Sequence, residues 1–396
     1  MKYIIVLTSS YPNSPNSPDG GGTFVKTLCQ HLSNQFKVHI LTPYVTGCTE
    51  EKDEENLKVQ KFKYFFKRFC TLTGGNGIAQ IIKENPVNII KLPFFFFFQF
   101  FYTLKAVKRT KSKFIHIHWV IPQGITAVLV KKTLRKSNIK LLLTVHGSDF
   151  NSLKKGPLKR VIIWVFNNVD EITVVSQALK TEIEDWGIKQ KIHVYPMGID
   201  TKLFTPNPST TRKVNQILFV GYLIKEKGLE DLIEAIPEIV KNVPDFELKV
   251  IGPGNNSAFV IRAQELNVQA HINWIGEVPN NDLPQHFRES AAFILPSHSE
   301  GFGIVCIEAM ACNCITLVSK LPATKDYIKS EKTGFFIEAQ NSSSISKQII
   351  HVLTYNSKLG KVRKNARNFV VNNFDWEAVS ENYAVIINEM TFSLSK

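Results

Sequence analysis

The sequence predicts an α/β protein made of two tandem, doubly wound parallel sheets, and three observations carry that reading. Short, nearly continuous apolar runs alternate with segments of helical spacing along the whole chain. Such runs suit strands buried on both faces beneath covering helices. The 396 residues exceed what one ordinary core organises, so length favours two domains. A polar, proline-bearing stretch at 200–215 splits the alternation into comparable halves and reads as the linker.

In the first half, strands are expected at 3–9 (YIIVLTS), 37–43, 114–120, 140–147, 171–176 and 191–196. Helical spacing fills the gaps, as in TFVKTLCQHLSNQ (23–35) and GITAVLVKKTLRKS (124–137). In the second half, strands are expected at 216–221, 246–252, 272–277, 291–296 and 315–319. The segments between them, 227–243, 258–266, 282–290 and 304–311, have helical spacing. The division is then an N-terminal domain over 1–195, a C-terminal domain over 196–374, and a terminal helix over 375–396 that can cross back to the first domain. In open sheets of this kind, ligands gather at the carboxyl ends of strands, so two domains facing across a cleft would place chemistry in the strand-to-helix turns.

Composition narrows the function classes. The opening MKYIIVL run lacks a small-residue cleavage site and reads as a strand, and no stretch holds 18–20 uninterrupted apolar residues. The six cysteines have no zinc-ligand spacing and read as reduced thiols in a cytosolic protein. Residues 1–200 hold 28 Lys+Arg against 14 Asp+Glu, whereas residues 201–396 hold 20 of each. The whole excess of +14 therefore lies in the first half and points to an anionic partner there. No helix-turn-helix, RRM or zinc-finger pattern accompanies it, so nucleic acid is not expected. No G-x-G-x-x-G follows a strand, which argues against a dinucleotide oxidoreductase.

Several turns hold candidate residues. HSEGFGIVCIEAM (298–310) sets Glu300 and Glu308 on either side of a Gly-Phe-Gly bend. Carboxylates suit sugar and ribose hydroxyls because each accepts two hydrogen bonds at once, and the helix start after Gly303 offers amide donors to phosphate. The plainer alternative is two acids favoured by a helix dipole. VGYLIKEKGLEDLIEA (220–235) places Lys225 and Lys227 at another helix start, where a cation is disfavoured unless an anion lies between. Gly20, Gly21 and Gly22 precede the first helix and permit close backbone approach to a ligand, or form a mobile surface loop. His146 follows a strand end beside Gly147 and can face a ligand. Alternation puts His116 and His118 on one side of a strand, but no third metal ligand is evident.

Taken in order, these motifs resemble the retaining family 4 (group 1) glycosyltransferases of the GT-B fold. The resemblance runs through the glycines at 20–22, HIHW..P.G at 116–124, HGSD at 146–149 and MGID...F.P at 197–206. It continues through LFVGYL...KGLEDLIEA at 218–235, PS..EGFGIVCIEAMA at 296–311, TGFFI at 333–337 and FDW near the C-terminus. It implies transfer of a sugar from a nucleotide-sugar, UDP- or GDP-linked, to an acceptor hydroxyl, without metal or other cofactor. By it, Glu308 binds ribose hydroxyls, and Glu300 and His146 contact the donor sugar. Lys227 and the backbone over Gly301, Phe302, Gly303 and Ile304 hold the diphosphate, with Lys225 assisting, and the 20–22 loop closes nearby. Two departures stand out. Tyr222 occupies a position where many relatives carry an arginine that grips the diphosphate. Cys312-Asn313-Cys314-Ile315 and the 319–328 stretch replace small, glycine-rich turns that in the family lie close to the donor sugar.

One feature lies outside the motifs. IIKLPFFFFFQFFYTLKAVKRTKSK (89–113) holds seven phenylalanines between Phe94 and Phe101, followed by Lys105, Lys108, Arg109, Lys111 and Lys113. Phenylalanine on every face cannot be wholly buried in one domain helix. An aromatic block beside bases suits an anionic membrane surface. The expectation is a cytoplasmic enzyme held at the inner face of the plasma membrane, acting on a lipid-linked glycan for a cell-surface polysaccharide. The rivals are a transferase using a small acceptor such as a sugar phosphate, a catalytically silent protein serving as partner or scaffold, and a phenylalanine-rich core helix with no membrane role.

Overall fold

The computed structural model describes all residues except 13–21, 50–52, 74–77, 148–149, 151–152, 155, 355–357 and 393–396. The chain forms two compact units, one over Met1–Gly198 with Trp376–Lys396, the other over Ile199–Asp375.

The N-terminal unit is built on a seven-stranded sheet of order β3-β2-β1-β4-β5-β6-β7, every neighbouring pair parallel. Its strands are β1 Tyr3–Leu7, β2 Lys37–Pro43, β3 Leu57–Phe62, β4 Phe114–His118, β5 Lys140–Val145, β6 Glu171–Val174 and β7 Lys191–Val194. Its helices are α1 Thr23–Leu32, α2 Ile78–Glu84, α3 Leu92–Thr110, α4 Ile125–Thr133, α5 Leu158–Phe166 and α6 Gln177–Asp185. The central strands are buried throughout, Ile4–Leu7 and Leu141–Leu143 among them, because helices cover both faces. Each fully buried Val, Leu or Ile contributes about 1.5–3 kcal/mol relative to exposure.

The C-terminal unit carries a six-stranded, all-parallel sheet of order β10-β9-β8-β11-β12-β13. The strands are β8 Lys213–Val220, β9 Glu247–Ile251, β10 Ile272–Gly276, β11 Ser290–Leu295, β12 Ile315–Ser319 and β13 Phe335–Ile337. The helices are α7 Leu229–Asn242, α8 Ser257–Glu265, α9 Leu283–Glu289, α10 Ile304–Ala311, α11 Ser342–Thr354 and α12 Leu359–Phe374. In each sheet the strand order reverses beside the first strand, between β1 and β4 and between β8 and β11. Those switch points are where doubly wound sheets open a crevice for ligands.

The last helix, α13 Trp376–Phe392, packs on the N-terminal unit. Tyr383 and Ile387 are buried, the Trp376 ring stacks on His31, and Lys2 Nζ donates to Thr391 Oγ1 at 3.1 Å.

Three features differ from the sequence reading. The supposed linker at 200–215 is packed into the C-terminal unit. Phe204 is buried there, and Arg288 and Arg367 donate to the carbonyls of Thr201, Leu203, Phe204 and Thr205. Strands β3 and β13 lie at sheet edges and hide from pattern reading for different reasons: Lys58, Gln60 and Lys61 interrupt β3, and β13 is only three residues long. The segment 312–315 sits at the amino end of the second sheet, because α10 has carried the chain back from the strand ends. Arg212 binds the carbonyls of Ser290 and Asn313 there, so the cysteine substitutions belong to that anchorage and not to the strand-end loops.

The phenylalanine run forms α3, continuous with a 3₁₀ segment at Pro86–Lys91. Phe95 is buried against Phe62 and Tyr64, and Gln99, Thr103, Ala106 and Val107 continue the inward face. The combined 25-residue helix, Pro86–Thr110, is long and apolar enough to cross a membrane by length and composition, a property a core helix can share. Its opposite face exposes Phe94, Phe97 and Phe101, with Ile89 and Ile90 before them and Lys105 and Lys108 beyond. The run is thus half core and half surface.

Candidate functional site

In the C-terminal unit, β8 and β11 lie side by side and deliver two turns to the switch point. After β8 the chain passes Tyr222, which is exposed, and forms a 3₁₀ turn at Lys225–Lys227 closed by Gly228. Gly228 has φ +69°, and a Cβ there would lie 2.0 Å from the Pro296 carbonyl oxygen, so only glycine allows the turns this close. Contacts then lace them together. The His298 amide donates to the Glu226 carbonyl at 2.8 Å, and His298 Nε2 meets Asp231 Oδ2 at 2.6 Å.

That lacing joins two candidates from separate motifs. Lys227 Nζ donates to Glu300 Oε1 at 2.6 Å, and Ser297 Oγ donates to the same oxygen at 2.8 Å. The Glu300 side chain is 8% exposed and that of Lys227 23%, so the pair is largely shielded from water. Lys225 remains exposed at the edge. Gly301 and Phe302 lead into Gly303, the N-cap of α10, with Phe302 packed between Tyr327 and Phe374. The first two amides of α10, those of Ile304 and Val305, lack intrahelical acceptors by the geometry of a helix start, while that of Cys306 donates to the Gly303 carbonyl at 2.9 Å. One turn in, Glu308 is mostly buried, and burial pushes its carboxyl up to about 7 from an ordinary 4.5. The arrangement offers an ammonium and helix-start amides to an anion, and two carboxylates to hydroxyls.

In the N-terminal unit the switch point has a different character. Gly22, at φ +89°, caps α1, and a Cβ there would meet the Ser10 carbonyl at 2.5 Å. Gly20 and Gly21 lie outside the described residues, as do Ser148 and Asp149 of the HGSD motif. His146, just past β5, is partly exposed. Its ring stacks on His118 at 5.2 Å and 11°, and lies 4.7 Å from Trp119 and 4.9 Å from Phe24. Trp119 has φ +71°, a rare value for a bulky residue, and holds its ring against His146 at that strained strand end. His116 and His118 face one side of β4, as alternation requires, and both are buried. Burial holds His116 and His146 down to about 3 and His118 well below its ordinary value, so all three imidazoles are neutral near pH 7. Among the described residues no group of three or more His, Cys, Asp or Glu is placed to hold a metal ion.

Ser297, His298 and Trp119 fall inside the quoted motifs without a role assigned to them, and Asp231 and Phe24 are not singled out by the sequence. Ser297 and His298 had a signal in their place between a strand end and Glu300. Asp231 is one of two acids in the first turn of α7, a common type at any helix start.

Comparison with known proteins gives this geometry a family. The model of glycosyltransferase family 4 matches residues 18–203, and that of glycosyl transferases group 1 matches residues 203–369. The chain is 28% identical over 292 residues to the Escherichia coli UDP-Gal:alpha-D-GlcNAc-diphosphoundecaprenol alpha-1,3-galactosyltransferase, covering 68% of this chain and 74% of that one. Sucrose-phosphate synthase from Thermosynechococcus elongatus superposes with a TM-score of 0.78 at 19% identity, over 99% of this chain and 100% of that one. Anabaena HepE, solved with UDP and glucose, superposes with a TM-score of 0.72 at 15% identity, over 98% of this chain and 100% of that one.

Proposed function

We propose that this chain, which belongs to the family 4 (group 1) glycosyltransferases and has their GT-B fold, transfers its sugar with retention onto a lipid-linked glycan bound for a cell-surface polysaccharide. Membership makes it a nucleotide-sugar-dependent glycosyltransferase of polysaccharide or glycoconjugate synthesis; stereochemistry, acceptor and residue roles are the proposal.

The observation that carries it is the shielded Lys227–Glu300 contact at the β8/β11 switch point. Without ligand, each group satisfies the other. An arriving diphosphate competes for the Lys227 ammonium and releases Glu300 to accept from sugar hydroxyls. Lys227 and the backbone from Gly301 to Ile304 then face the diphosphate, with Lys225 at the edge. Glu308, as carboxylate, accepts from both ribose hydroxyls. The family pattern assigns His146 to the donor sugar and the glycines at 20–22 to the phosphates, with Gly20 and Gly21 outside the described residues.

In the reaction, the bond from anomeric carbon to diphosphate breaks and the acceptor oxygen bonds to that carbon on the same face. The acceptor's proton passes to the departing phosphate oxygen. The protein's main contribution is stabilising the growing negative charge, and Lys227 and the α10 amides supply it without calling on a metal. Tyr222 brings no charge, so Lys227 carries the larger share.

A panel of UDP-, GDP- and ADP-sugars, incubated with a polyprenyl-diphosphate-linked sugar acceptor, tests this directly. NMR of the product should show the donor's anomeric configuration preserved. An inverted product would end the retention proposal, and turnover only with soluble sugar phosphates would end the lipid-linked one.

Membrane docking is supported by the outer face of α3. Phe94, Phe97 and Phe101 recur at helical spacing, 45%, 63% and 49% exposed, and Lys105, Lys108, Arg109, Lys111 and Lys113 follow, all exposed. Aromatics at the acyl boundary with bases on anionic headgroups suit in-plane binding at the inner face of the plasma membrane. The E. coli relative's acceptor, by its name, is carried on a polyprenyl diphosphate. Sedimentation with phosphatidylglycerol vesicles should be strong and salt-sensitive, and should fall at least tenfold in a Phe94→Ser, Phe97→Ser, Phe101→Ser variant. Equal pelleting of both proteins would remove the docking proposal.

A further inference from the structure

The histidines of β4 have no role in the reading above. His118 nevertheless makes a direct contact with a proposed site residue: its Nδ1 lies 3.0 Å from His146 Nε2, with the rings nearly parallel. That contact occupies Nε2, so His146 can offer only Nδ1 to a ligand. The support beneath is layered. His116 packs 4.3 Å from His118 and binds Thr144 Oγ1 through Nε2 at 2.8 Å, and Thr144 in turn meets Thr173 at 2.6 Å. Tyr383 of α13 closes the far side, 5.3 Å from the His116 ring.

We infer that His118 is a positioning residue for His146: its Nδ1–H donates to His146 Nε2, which fixes the His146 proton on Nδ1 and presents that N–H as a neutral donor to a sugar hydroxyl. The direction follows from the other nitrogen. His118 Nε2 is buried without a partner among the described residues. Placing the proton there would orphan a buried N–H, which is the rarer defect in folded proteins. The proton therefore sits on His118 Nδ1, His146 Nε2 accepts it, and the His146 proton must be on Nδ1. Burial keeps both rings neutral, so the assignment holds across the working pH range. Trp119 and Phe24 flank the His146 ring, 4.7 and 4.9 Å away.

The inference rests on the reading of His146 as a sugar contact, yet its test needs no donor. Full-length protein labelled with ¹⁵N-histidine reports each ring's tautomer through its nitrogen shifts, and His146→Gln identifies the His146 signals. The expected result is a neutral His146 protonated on Nδ1, unchanged between about pH 6 and 8. In His118→Ala the tautomer should relax toward the Nε2–H form that free imidazole prefers. A wild-type His146 protonated on Nε2, or a His118→Ala spectrum like wild type, overturns the inference. Should His118→Ala fail to fold, the wild-type tautomer still decides. A locked Nδ1–H His146 whose replacement leaves turnover intact would instead overturn the sugar-contact reading alone.

Discussion

The two switch points of this chain share a topology and differ in electrostatics. At β1/β4 in the N-terminal unit, neutral imidazoles are stacked among Trp119 and Phe24, with burial as the dominant force. At β8/β11 in the C-terminal unit, an ammonium and a carboxylate are paired behind a helix start. The contrast runs against bulk composition, since the N-terminal half carries the whole +14 excess, yet the described residues around its switch point, His118, Trp119, His146 and Phe24, bring no charge. Its bases lie elsewhere, several in the last turns of α3 and α4, where the dipole favours them. Net charge therefore reports on the outer surface, and the strand ends are tuned separately. One set suits orienting neutral hydroxyls, the other suits meeting a diphosphate.

The hardest test of that contrast is Lys227→Ala. If the ammonium stabilises charge on the departing diphosphate, kcat should fall about 10²–10³-fold, the loss seen when one preorganised donor is removed. Leaving the shielded Glu300 without its partner should also lower the thermal midpoint, so activity is read well below unfolding. His146→Ala probes the other side. A neutral hydrogen bond supplies roughly 0.5–1.5 kcal/mol, so kcat/KM should fall about three- to tenfold. Steady-state kinetics of both variants on one donor settles the comparison. Equal losses would erase the distinction between a charged and a neutral switch point.

Much of this was legible in the chain itself. Central strands such as Tyr3–Leu7 and Ser290–Leu295 announced themselves because burial on both faces demands unbroken apolar runs. The edge strand Leu57–Phe62 did not, since Lys58, Gln60 and Lys61 interrupt it where only one side needs covering. The 200–215 stretch reads as a linker because prolines and polar residues suit loops, and nothing local reveals that Arg367, more than 160 positions away, binds its carbonyls. The same limit governs the site. Glu300, Glu308 and Lys227 were readable as motif members, but the contact between Lys227 and Glu300 joins positions 73 apart. Alternation placed His116 and His118 on one side of a strand without saying that His146 would stack against it.

The subtlest expected effect concerns Glu308, and it sharpens the contrast within the charged switch point. Burial raises its folded pKa from 4.5 to about 7, opposite to the depression that an ion pair gives. Between those values the native state holds a proton that the unfolded chain releases. The stabilising contribution is fully present below about 4.5 and is lost as pH rises through about 7, a change of roughly 2–4 kcal/mol. Glu308→Gln keeps the shape without the titration, so ligand-free variant and wild type should have similar thermal midpoints near pH 5. By pH 8 the variant should be higher by about 5 °C. The same substitution removes a carboxylate acceptor and should weaken UDP binding at pH 8, while wild-type affinity itself should fall as pH drops below about 7. Melting curves and UDP titrations over that range test both halves. Parallel midpoint curves would mean that Glu308 is already ionised without ligand, and that the ligand-free site holds charge in both of its acids.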